Sequence, residues 1–134
     1  MILDPSLLEK VISKLLSSGA QYADLYFQDM TARQLEAEDG RMESVSTVRE
    51  RGVGLRLIHG GITHFATTVD LDPDSLLRLA SDLASGAGAA GKGRKVPLTE
   101  QPPAPLQPGR DPGDVSLAKK GELVMAAVKA LDRF

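Results

Sequence analysis

Two histidines, His59 and His64, flank a Gly60-Gly61 pair. If the glycines form a two-residue hairpin turn, His59 stands opposite Ile62 and Leu57 opposite His64. Both imidazoles then share one sheet face and lie diagonally, within reach of a common metal ion. Zinc takes about four ligands, however, and neither a carboxylate nor a third histidine falls nearby in sequence. Two ordinary surface histidines beside a turn is the stronger reading.

Other residues that could do chemistry lose it on inspection. Asp70, Asp72 and Asp74 alternate as in a calcium loop, but the glycine and closing glutamate such a loop requires are missing. Helix capping and surface charge account for them, as they do for Glu36 and Glu38. The run GAGAAGKGRK from Gly86 to Lys95 imitates a phosphate loop as far as Lys92. Gly93 then stands where a serine or threonine must hold magnesium, and the run enters a proline-rich stretch instead of a helix. A flexible connector explains it better. Gly52 and Gly54 imitate the start of a dinucleotide fingerprint, yet a β run follows them where a helix should open. A bulge or a close backbone approach is the expected reason for these glycines. Neither histidine lies in a nucleophile context such as G-x-S-x-G, and no H-E-x-x-H helix is present. The expectation is therefore no catalytic, cofactor-binding or metal-ligating residue within this chain.

Composition narrows the class further. A chain of 134 residues fits one modest domain that buries about two thirds of its unfolded surface. A net charge of -2 offers no long-range attraction for a phosphate backbone. The five aromatic residues are Tyr22, Tyr26, Phe27, Phe65 and Phe134. Three of them fall in one predicted strand, where core packing accounts for them better than base stacking does. The absence of cysteine excludes disulfides and thiol chemistry and suits a reducing compartment. MILDPSLLEK lacks the basic start and long apolar run of a signal peptide, and nothing approaches the roughly 20 apolar residues of a membrane span. A soluble, cytoplasmic domain with no membrane and no direct nucleic-acid partner is expected.

The elements that would position these residues follow from pattern. Asp4-Pro5 starts a helix, with Leu8, Val11, Ile12, Leu15 and Leu16 forming its apolar stripe and Gly19 closing it. Tyr22 to Met30 alternates as a strand, with Ala23, Leu25 and Phe27 on one face and Asp24, Tyr26 and Gln28 on the other. A second strand over 33–38 turns at Asp39-Gly40 into a third, and two more strands flank Gly60-Gly61. Such a turn would set Glu38 opposite Arg41 and Glu36 opposite Glu43, so this hairpin should be half-exposed. Asp72-Pro73 starts a second helix carrying Leu76, Leu77, Ala80, Leu83 and Ala84, ended by Gly86. After the prolines between Pro97 and Pro112, a last helix begins beyond Asp114 with Leu117, Val124, Ala127, Val128, Leu131 and Phe134 on its stripe.

YADLYFQ (Tyr22–Gln28), DGRMESVS (Asp39–Ser46), RGVGLRLIHGG (Arg51–Gly61) and the following ATTVDL together resemble the N-terminal domain of the TldD/PmbA metallopeptidases, once described as modulators of DNA gyrase. The likeness covers about residues 5 to 85 in order, and RGVGLR is closer to the TldD branch. It implies a non-catalytic N-terminal domain of a zinc-dependent peptidase acting on peptides or unfolded proteins. Zinc belongs to a catalytic domain outside this chain. The domain itself would shape substrate access and contact a TldD/PmbA-type partner subunit or a second copy, since the family works as paired subunits. A stand-alone protein-interaction module, binding through an exposed sheet edge or face, is the alternative.

The expected fold is α+β, a mostly antiparallel sheet of about five strands covered on one face by helices. Residues 1–86 would form the core, 87–114 a Gly/Pro-rich linker, and 115–134 the C-terminal helix that opens the next part of a longer protein.

Overall fold

The computed structural model describes residues 3–88, 96–99, 101, 109 and 111–131. The chain divides into two units, one formed by residues 1–29 with 50–100 and the other by 30–49 with 101–134.

The first unit opens with helix α1 (Pro5–Leu16). A carboxylate oxygen of Asp4 accepts the amides of Ser6 at 2.7 Å and Leu7 at 3.3 Å, two donors that the helix itself leaves unpaired. The helix stops before Gly19, which takes a positive φ of 78° as expected. Helix α2 (Pro73–Gly86) repeats the device, with Asp72 accepting from Asp74 at 2.9 Å and Ser75 at 3.2 Å. Its closing left-handed residue is Gly88 rather than Gly86, which still belongs to the helix. The amides of Ala87 and Gly88 bond back to Leu83 and Ser85, and this extends the last turn.

The sheet has three strands, β1 (Tyr22–Glu38), β2 (Arg41–His59) and β3 (Ile62–Thr68), in the order β1-β2-β3. The expectation of about five strands is corrected to three. The pairs of strands expected on either side of Met30–Arg33 and of Ser46–Arg51 are each continuous, because no proline or turn pair interrupts them there. Gly52 and Gly54 lie within β2. Both predicted turns are present, with Asp39 and Gly40 at φ 49° and 72° and Gly60 and Gly61 at 57° and 80°. Positive φ at both central residues is the type I′ requirement. The β2–β3 register is antiparallel and as expected, with His59 opposite Ile62 and Leu57 opposite His64.

One core joins these elements. Val11 and Leu15 of α1, Val53, Leu55 and Leu57 of β2, and Leu76, Ala80 and Ala84 of α2 are buried together. Ala23, Leu25 and Phe27 of β1 pack against it, as their alternation requires. Odd positions of β2 from Val53 to Leu57 thus face the helices, and even positions there form the outer face of the sheet.

In the second unit, Leu35, Ala37, Met42 and Ser44 are half-buried while Glu36, Glu38, Arg41 and Glu43 are exposed, so the hairpin is half-exposed. Glu36 accepts the Ser44 hydroxyl at 2.7 Å. Asp111 caps a single 3-10 turn (Pro112–Asp114), and helix α3 (Leu117–Leu131) follows. The Ser116 hydroxyl accepts the Lys119 amide at 3.2 Å to start it. Among its described residues none is buried, and Leu123 and Leu131 are largely exposed. Gly121 of α3 faces Met42, whose methyl lies 3.6 Å from where a Cβ would stand. The remainder of the glycine-rich loop and four of the prolines between Pro97 and Pro112, together with Phe134, lie outside the described residues.

The two caps make an acid prediction. Hydrogen bonds from Ser6, then the Leu7 amide, hold Asp4 below the usual carboxylate value, and those from Ser75, ahead of the Asp74 amide, do so for Asp72. Each group titrates lower folded than unfolded. Their stabilisation is therefore complete above the ordinary carboxylate range and lost as pH falls through the lowered folded values. The melting temperature should be level down to about pH 5 and decline below about pH 4. Asp4→Asn with Asp72→Asn keeps a capping oxygen, and thermal melts of this variant should show a shallower acid decline. An unchanged decline would assign it to other carboxylates.

Candidate functional site

Chemistry was first sought at the histidines. The register places His59 and His64 on the helix-facing side of the β2–β3 hairpin, one diagonal step apart. The Nδ1 atom of His59 is buried with no hydrogen-bond partner. Among the described residues, no three His, Asp or Glu side chains gather to hold a metal. Two imidazoles do not fit zinc's need for about four ligands, and no step can be built through that ion here. The three aspartates are occupied in the turn before α2. Asp70 accepts the Asp72 amide at 3.3 Å and the Ser75 hydroxyl at 2.8 Å, and Asp72 caps the helix.

The outer face of the sheet holds a candidate site. A concavity of about 600 Å3 runs across it, with Tyr26 and Gln28 on one side, Gly52 and Gly54 in its floor, and Phe65 and Val69 on the other side. The floor is low because glycine is required there. A Cβ on Gly52 would meet the Thr68 carbonyl oxygen at 2.9 Å. A Cβ on Gly54 would meet the Phe65 ring at 3.1 Å, so the ring lies directly over that glycine. Close approach, one of the two readings given to these glycines above, is what the strand shows.

Around the groove the polar groups satisfy one another. Arg56 pairs with Asp24 and lies 5.5 Å from the centre of the Tyr22 ring, whose hydroxyl donates to Asp24 at 2.9 Å. The Arg56 hydrogen bond holds the Asp24 carboxyl below its usual value, with Tyr22 adding to the effect. The Tyr26 hydroxyl donates to Gln28 at 3.2 Å, and Gln28 donates to Glu50 at 3.0 Å. Large apolar side chains are also exposed along it: Tyr26 is 64 %, Phe65 62 % and Val69 83 % exposed. Such an arrangement can bind a chain segment with apolar side chains, but it presents no activated nucleophile or metal ligand set.

The assignment of the clustered aromatics to core packing is corrected here. Phe27 packs against the core, whereas Tyr22 and Tyr26 stand on the outer face, as strand alternation places even positions. Asp24, Tyr26 and Gln28 were correctly read as sharing a face. The Phe65–Gly54 stacking and the Asp24–Arg56 pair were missed. The one available signal was glycine at two even positions of β2, a row without side chains that a neighbouring ring can cover.

The described residues thus form a helix-backed, three-stranded antiparallel sheet with a glycine-floored groove on its outer face. Residues 23–87 match the family of PmbA/TldA metallopeptidase domain 1. This stretch belongs to the PmbA/TldD metallopeptidase family as its first domain. No curated protein matches the chain. No helix among the described residues is long and apolar enough to cross a membrane.

Proposed function

We propose that this chain is the non-catalytic first domain of a TldD-like zinc-dependent peptidase that acts on peptides or unfolded proteins in the cytoplasm. RGVGLR at Arg51–Arg56 favours the TldD branch, and the lack of cysteine suits the compartment. The domain shapes substrate access by taking an extended apolar segment along the outer sheet face, and it contributes to subunit contacts. The observation that carries this reading is the glycine-floored groove between Tyr26 and Phe65, with polar groups already paired around it. Zinc and the cleaving residues belong to a further domain of the longer protein.

The purified chain should bind an unfolded casein peptide without cutting it, whether or not zinc is added. Calorimetric titration should show saturable binding weakened about tenfold or more by Phe65→Ser or by Tyr26→Ala. Two variants are used because Phe65 also covers Gly54. No binding by the wild type at high micromolar concentration would remove the access role. Metal-dependent casein cleavage abolished by His59→Ala or His64→Ala would overturn the non-catalytic reading.

A further inference from the structure

The floor of the groove belongs to β2, the middle strand, whose backbone pairs with β1 on one side and β3 on the other. A ligand lying on this face therefore finds no main-chain ladder to join. The side chains offer it little more. The Tyr26 hydroxyl donates to Gln28 at 3.2 Å, and Gln28 donates to Glu50 at 3.0 Å. Glu50 and Arg51, the two charged residues of the lining, are opposite in sign, and Arg51 already lies 3.7 Å from Asp29. Such a lining complements a segment without charge. It also penalises each ligand amide that leaves water, because a buried N–H without a partner keeps its whole desolvation cost. Proline has no N–H to lose. Its ring hydrogens also suit the electron-rich faces of aromatic rings, and Tyr26 and Phe65 stand exposed on either side of the floor.

We propose that the groove selects uncharged, proline-containing segments in the polyproline II conformation. This rests on the access role proposed above and names the class of segment taken. In that conformation the backbone stays solvated and needs no partner. Three residues make one turn, so prolines three apart lie on one side, about 9 Å from each other. Phe65 and Val69 are four positions apart along the β3 side of the groove, at most about 13 Å of extended chain. One proline can therefore meet the Tyr26–Phe65 pair while the next lies against Val69. Thr67 stands between them and turns its methyl to the floor, 4.0 Å from where a Cβ on Gly54 would be. The contact is apolar from end to end, and Gly52 leaves the floor bare where the segment passes.

The probe is a short uncharged peptide of alanine, leucine and glutamine with proline at every third position, titrated calorimetrically into the full chain. It should bind saturably, and replacing each proline by alanine should weaken binding about tenfold or more. N-methylalanine at the same places lacks the N–H but has no ring, and that peptide should bind more tightly than the alanine one. These comparisons change the ligand alone, so they do not depend on a variant folding. In the protein, Tyr26→Ala and Phe65→Ser should each bring the proline and alanine peptides towards equal affinity. Equal binding of those two peptides by the wild type would overturn the inference. So would an N-methylalanine peptide no better than the alanine one, or a proline preference unchanged in both variants. If casein still binds in any of these cases, the access role stands and only the proline selection falls. If casein and all three peptides fail to bind, both readings fall together.

Discussion

Leu55→Ala should cost about 2–5 kcal/mol, the largest effect expected of any single substitution in the chain. Leu55 is fully buried in the middle strand, between Val53 and Leu57 on the same face, in one cluster with Val11, Leu15, Leu76 and Ala80. Truncation removes apolar surface from a site where α1, α2 and β2 meet. A three-sided contact collapses poorly onto a void, and this places the cost well above the transfer term alone. Since domains of this size are stable by only about 5–15 kcal/mol, a large share of the folded population's margin would go. Urea titration should show a lower midpoint with an unchanged slope. Val69→Ala, at an exposed position, should move the midpoint by no more than about 0.5 kcal/mol in energy. A Leu55→Ala loss equal to that of Val69→Ala would mean that the core had been placed wrongly.

Glycine substitutions should split by sign. Gly52→Ala should destabilise by about 1–3 kcal/mol, the range for forced overpacking. Its new methyl would lie 2.9 Å from the Thr68 carbonyl, a backbone atom that moves only if the β2–β3 pairing moves. Gly86→Ala should stabilise by about 0.5–1 kcal/mol, because Gly86 sits in α2 without positive φ and with open space around it. Thermal melts of the two variants under one condition decide the matter. A neutral Gly52→Ala would show that β3 yields easily at Thr68, and the floor of the groove would then be soft.

What the sequence made legible was local. Asp39-Gly40 and Gly60-Gly61 specify their own backbone, so the turns and the β2–β3 register could be read without tertiary knowledge. The Asp-Pro pairs likewise fixed both helix starts through a cap and a preset φ. Strand number was harder, because a strand ends only where something stops it. Met30–Arg33 and Ser46–Arg51 are polar but contain no breaker, and the ladder ran through them to give strands of 17 and 19 residues. The groove was the least legible part. Whether Tyr26 and Phe65 are core or surface depends on which face the helices cover, and that is decided by elements far away in sequence. Their alternation with Leu25 and Ala66 says only that the faces differ.

The two tyrosines have a practical consequence. There is no tryptophan in the chain, and Tyr22 and Tyr26 are its only tyrosines. Both stand on the outer face of β1, one beside Arg56 and the other on the rim of the groove. Tyrosine emission therefore comes from a single face of a single strand. The protein carries a built-in optical reporter, silent about its helices and sensitive to whatever settles across its sheet.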